Sequence, residues 1–91
     1  MQHTDSILFG DRTLRVRTST ILRSLGEEIR ERRQQRNLSQ EALARQAGVH
    51  SNVVGRLERG SYNITVLTLS AIAMELDTSV LELFAGAAKR Q

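Results

Sequence analysis

The chain has 91 residues, 40% hydrophobic and 25% charged, with no proline, no cysteine and a formal net charge of +3. That length holds one small domain, and the composition excludes a disulfide framework, a thiolate metal site and a second core. Two Phe, one Tyr and no Trp leave the core to Leu, Ile, Val and Ala, which suits packed helices better than a β-sandwich.

Residues 1–19 carry no helical period, and Thr13–Thr18 alternates polar with apolar, which predicts an extended N-terminal arm or a short edge strand. From Ile21 the pattern changes. Ile21, Leu22, Leu25 and Ile29 stripe one helix face while Glu27, Glu28, Arg30, Glu31 and Arg32 fill the others, so a first helix runs from an N-cap at Thr20 to about Arg36. Asn37-Leu38 interrupts it. Ser39 then offers a hydroxyl to the free amides of a short second helix, striped by Leu43 and Ala47 and stopped by Gly48, with Val49 a buried plug beyond the turn. His50 or Ser51 caps a third helix, which puts Val53, Val54 and Leu57 on one side and Ser51, Asn52, Gly55, Arg56 and Arg59 on the other before Gly60. Thr65 caps a fourth helix, with Val66 at its start and Leu69, Ile72, Ala73 and Leu76 as its inner stripe. Ser79 and Glu82 have capping-box spacing and open a fifth, turning Val80, Leu83 and Phe84 inward. Residues 85–91 read as frayed. The predicted organisation is an arm over 1–19, a helical domain over 20–85 and a tail over 86–91.

Residues 1–60 hold eleven of the thirteen Lys and Arg, whereas Ser61 to Ala88 contains Glu75, Asp77 and Glu82 and no basic residue. One end favours polyanions and the other does not. Arg30, Arg32, Arg33 and Arg36 interleave with Glu27, Glu28 and Glu31, so i,i+4 pairing on a solvated face explains them better than a DNA clamp. No stretch approaches the roughly 20 apolar residues that span a bilayer, and no signal-peptide run opens the sequence, so a cytoplasmic place without a membrane partner is expected. His3 and His50 lack partner ligands at helical spacing, so neither metal nor cofactor is expected. No nucleophile, phosphate loop or readable Ser, His and acid set points to an enzyme.

The informative span is Gln40 to Arg59, QEALARQAGVHSNVVGRLER. Two short helices meet at a steep angle only if the crossing residues are small and the turn bends sharply, and Ala44 and Gly48 meet those needs. Here the chain resembles the Cro/C1-type helix-turn-helix family, also called the XRE family, of phage repressors and bacterial regulators. The resemblance runs from about Leu25 to Phe84, through Leu38-Ser39-Gln40, Ala47-Gly48-Val49, Leu57-Glu58-Arg59-Gly60, Leu69…Ile72-Ala73…Leu76 and Leu83-Phe84.

The resemblance implies a compact, five-helix, lambda-repressor-like all-α domain that binds double-stranded DNA. It implies that Gln40 grips a phosphate at the second helix's N-terminus. It sets Ser51 and Asn52 at the first exposed positions of the recognition helix, with Gly55 and Arg56 one turn on. It also implies a fork-shaped ion pair between Arg33 and Glu58. Chemistry supports part of this independently, because asparagine pairs bidentately with adenine and arginine with guanine, and Asn52 and Arg56, at i and i+4, share a face. Local capping by Asn52 and a phosphate contact by Arg56 are the alternatives. His50, Arg59, Tyr62 and Asn63 are expected near the DNA backbone. Gly55 stands where the family often has a longer polar residue, which leaves a contact missing or lets backbone approach closely.

One recognition helix reads too few base pairs, so a homodimer on an inverted repeat is expected, with Met74, Leu81 and Phe84 as its contacts. The stretch Arg59-Gly60, Asn63-Ile64-Thr65 and Leu67-Thr68-Leu69 resembles the controller proteins of restriction-modification systems, a pattern that small phage repressors share. An antitoxin-like protein is the alternative, its arm pairing with a partner protein through an extended edge.

Overall fold

The computed structural model describes residues 12–90, with side chains from Thr20 onward. Among these residues the chain forms five helices and no strand: α1 (Arg12–Gln35), α2 (Gln40–Ala47), α3 (Val53–Glu58), α4 (Val66–Glu75) and α5 (Val80–Ala88). Helix α1 packs against α3 and α5, α2 against α3 and α4, and α4 against α5.

The apolar stripes account for this arrangement. Leu25 and Ile29 of α1, Leu43 and Ala44 of α2, Val54 and Leu57 of α3, Leu69, Ile72 and Ala73 of α4, and Leu83 and Ala87 of α5 share one buried cluster with Leu76. Leu38, Ala47, Val49, Ile64 and Val80 pack against its edge, so Val49 is a half-buried plug. Helices this short do not persist alone in water, and burying their inner faces at about 25 cal/mol per Å² of apolar area is what holds them.

One device ends four of the helices. Asn37, Gly48, Gly60 and Asp77 have φ of 57°, 71°, 73° and 57°. In each case the following N–H reaches five residues back: Leu38 to the Arg33 carbonyl at 3.2 Å, Val49 to Ala44 at 2.9 Å, Ser61 to Arg56 at 3.0 Å and Thr78 to Ala73 at 3.0 Å. These are Schellman motifs, which satisfy the last carbonyls and turn the chain sharply. At the helix starts, the hydroxyls of Ser39, Thr65 and Ser79 accept from the N–H of Ala42, Thr68 and Glu82 at 3.0, 3.1 and 3.1 Å.

Three expectations are corrected. Helix α1 begins at Arg12, so residues 12–19 are helical and Thr20 lies inside a helix instead of capping one. The β-branched residues there lower helix propensity only slightly, and extending an existing helix needs no new nucleation. Residues 1–11 of the expected arm lie outside the described residues. At the other end, residues 85–88 continue α5 with Ala87 buried. Their small side chains let α5 settle on α1 so closely that a Cβ at Gly86 would collide with the Glu28 carboxylate. Arg90 then donates to Glu28 at 3.1 Å and to Glu31, and Arg32 donates to Glu28 at 2.7 Å. Burial pushes the Glu28 carboxyl up, but the hydrogen bonds and charges of Arg32 and Arg90 outweigh it and hold the group below its ordinary range. Finally, Phe84 is 40% and Val66 72% exposed, because Leu83 and Leu69 already fill the core beside them.

Candidate nucleic-acid interface

Helices α2 and α3 form one rigid corner. Ala44 is buried where they meet, Gly48 turns the chain, and Val53, Val54 and Leu57 bury the inner side of α3. The outer side is therefore left to Ser51, Asn52, Arg56 and Arg59, all exposed.

The start of α3 differs from expectation. Asn52, not His50 or Ser51, is the N-cap residue, and it makes no side-chain cap. The Val53 N–H bonds to the His50 carbonyl at 3.0 Å, and the Asn52 carbonyl receives the first helical bond, from Arg56 at 3.2 Å. Ser51 and Asn52 thus stand in the turn just before the helix. The His50 imidazole lies against that turn, its Nδ1 2.9 Å from Asn52 Oδ1 and 3.3 Å from the Asn52 backbone nitrogen, and the tautomer decides whether it donates to the former or accepts from the latter.

Gly55 is also corrected, since it is buried despite its place on the outer side of α3. The side chain of Gln40 folds over it, so that a Cβ at Gly55 would lie 3.2 Å from Gln40 Oε1 and 3.4 Å from Arg59 Nη1. What draws Gln40 across is Glu58, whose Oε1 accepts from Gln40 Nε2 at 2.9 Å.

The same carboxylate receives Arg33 in the expected fork, Nε to Oε2 at 2.6 Å and Nη2 to Oε1 at 3.0 Å. Arg33 Nη1 donates to the Leu38 carbonyl at 2.7 Å, so one guanidinium ties α1 to the end of α3 and to the residue before Ser39. Glu58 accounts for an Arg33 pKa raised further above its usual value despite opposing burial. An acid at a helix C-terminus opposes the helix dipole, and Arg33 offsets this. Beyond α3, Tyr62 is half-buried and Asn63 exposed, and the Arg56 guanidinium lies over the Tyr62 ring, 4.8 Å from its centroid.

Helices α4 and α5 instead leave large apolar side chains uncovered: Leu67 is 82%, Met74 73% and Leu81 81% exposed, with Val66 also open and Phe84 less so. Among the described residues no His, Cys, Asp and Glu group is suited to a metal, and no helix is long and apolar enough to cross a membrane.

Two short helices joined by a left-handed glycine turn, the second offering a polar outer face, define a helix-turn-helix DNA-binding domain. The helix-turn-helix family model matches residues 29–83, and the chain belongs to that family, in its Cro/C1 (XRE) type; it is a DNA-binding transcription regulator. It is 44% identical over 59 residues to the control protein C.SmaI of Serratia marcescens, across 65% of this chain and 70% of that relative. The fold is similar to two crystal structures of the clp gene regulator ClgR of Corynebacterium glutamicum. One has a TM-score of 0.73 at 24% identity, covering 77% of this chain and 74% of that chain. The other has 0.72 at 25%, covering 76% and 88%.

Sequence reasoning missed Gly26. A Cβ there would meet the Leu57 carbonyl oxygen and lie 2.7 Å from that of Glu58, so α1 crosses the end of α3 backbone to backbone. A signal was present, because glycine inside a helix costs about 1 kcal/mol against alanine and needs a reason to be there. Val66 and Leu67 were also missed as surface residues, although Leu67 lies seven positions before Met74 and so shares its helix face, away from the inner stripe of Leu69, Ile72 and Ala73.

Proposed function

We propose that this regulator works as a homodimer on an inverted-repeat operator and controls a restriction-modification system. The observation that carries the DNA-reading part is the exposed polar side of α3, held outward by a fully buried inner side and by the Arg33–Glu58 fork. In this reading Asn52 and Arg56 meet base edges, and Ser51 stands beside them. Gln40 grips a phosphate at the start of α2, where free amides favour an anion, and Glu58 orients its amide for that task. His50, Arg59 and Asn63 flank the DNA backbone, and Tyr62 stands beside Arg56 at the same surface. Met74, Leu81 and Phe84 meet their counterparts in a second copy, since large apolar side chains left exposed on α4 and α5 suit a self-complementary contact. The controller role is supported by the similarity to a control protein, and a cytoplasmic place is part of the same reading. The antitoxin-like alternative loses its motive over residues 12–19, where a helix offers no extended edge.

Selection from a random duplex pool, followed by binding measurements on the winners, tests this. The expected product is a palindrome with half-sites one helical turn, about 34 Å, apart. Asn52→Ala then loses about 1–3 kcal/mol of preference at one base step, whereas Gln40→Ala weakens all duplexes alike. Recovery of no symmetric motif contradicts the proposal.

A further inference from the structure

We propose that Tyr62 is a positioning residue for base reading: its ring holds the Arg56 guanidinium in the orientation that selects a base pair. The proposal rests on the reading that α3 meets base edges, and adds to it the loop residue that sets the selectivity of one contact.

An arginine that reads guanine must present two donors in one plane, yet an exposed arginine has large rotamer freedom to lose. Among the described residues the Arg56 guanidinium has no carboxylate partner, and its one aromatic neighbour is Tyr62. A ring face attracts the charge without supplying a lone-pair acceptor, so it restrains the group and leaves its donors for O6 and N7 of a guanine. An ion pair would restrain it equally well but occupy those donors.

The position of the ring is a property of the fold. Gly60 adopts φ 73° and lies so close to α1 that a Cβ would be 2.9 Å from the Arg23 Cα, which turns the chain back toward α3. Ser61 follows, its N–H and its hydroxyl both donating to the Arg56 carbonyl at 3.0 Å. Ile64 packs against the core on the far side. Tyr62 is thus strung between two anchored residues, one bonded to the backbone of the very arginine whose side chain it covers.

The test uses the full chain and duplexes selected by the wild-type protein, paired with duplexes altered at the base pair whose preference Arg56→Ala abolishes. Tyr62→Leu, which keeps bulk without a π face, lowers the preference ratio about two- to five-fold. Tyr62→Phe keeps it, and Tyr62→Leu causes no further loss in an Arg56→Ala background. Thermal melting of each variant separates these effects from unfolding, with Tyr62→Phe as the conservative control. Equal weakening of both duplexes by Tyr62→Phe and Tyr62→Leu, with the ratio intact, overturns the proposal and makes Tyr62 a phosphate contact through its hydroxyl. Arg56→Ala leaving every base preference unchanged overturns it while DNA reading by α3 stands. A wild-type protein that selects no motif overturns both.

Discussion

The α2–α3 end and the α4–α5 end are built with the same joints. Ser39 and Thr65 cap the starts of α2 and α4 through the third amide, and Gly48 and Asp77 close those helices with left-handed residues. Leucine and small residues fill both inner sides. The outward positions differ: one end exposes Ser51, Asn52, Arg56 and Arg59, the other Leu67, Met74 and Leu81. Shared joints give the scaffold, and the residues the core does not use make the two ends chemically different. The Arg33–Glu58 fork belongs to the first end alone, so that end bears the cost when it is broken.

The largest expected effect follows from that asymmetry. Glu58→Ala leaves Arg33 buried without its partner and lowers unfolding stability by about 3–5 kcal/mol in urea titration. A loss under 1 kcal/mol would mean that the fork aligns the helices without being needed to hold them. Next comes a pair of glycines, one at each place where α1 crosses a neighbour. Gly26→Ala drives a methyl into backbone carbonyls that cannot yield, and costs about 1–3 kcal/mol. Gly86→Ala meets only the end of the Glu28 side chain, and about 1 kcal/mol of helix propensity gained offsets part of the loss of the Arg32 and Arg90 bonds as that side chain swings aside, so it costs less than Gly26→Ala. Reversal of that order would show that α5 seats more tightly on α1 than α3 does.

Smaller effects test whether the joints are equivalent. Ser39→Ala and Ser79→Ala each remove one cap bond of about 3 Å and should each cost about 1 kcal/mol. Unequal losses would break the equivalence. The Glu28 cluster adds a pH dependence confined to the α1–α5 contact. Its folded pKa lies below the ordinary 4.5, so its stabilisation is complete above that value and fades as pH falls through the folded one. Wild type should therefore lose stability on acidification more steeply than Glu28→Gln, read from chemical denaturation at a series of pH values.

Much of this was legible in sequence, because caps and apolar periods are local. Ser39, Thr65 and Ser79 announced their helices, and Leu25, Leu43, Leu57, Leu69 and Leu83 announced the core. What escaped depends on through-space neighbours. Thr13–Thr18 alternates like a strand, yet a helix beginning at Arg12 runs through it into a well-packed one. Gly55 sits on the outer side of α3 by period, but Gln40 folds over it because Glu58, eighteen positions along the chain, draws its amide. The Arg33–Glu58 fork was anticipated from resemblance alone; nothing in the spacing of residues 33 and 58 announces it. Arg90 illustrates the same limit, since its partners Glu28 and Glu31 lie 62 and 59 positions earlier in the sequence.

The absence of cysteine allows the contrast between the two ends to be measured with one thiol at a time. An iron chelate attached through Ser51→Cys and, separately, through Met74→Cys cleaves whatever duplex lies near each end. Strand scission at the centre of each half-site from position 51, with none from position 74, is the predicted result. Equal cleavage from both positions, or cleavage from position 74 alone, would contradict the assignment of the α3 end to DNA.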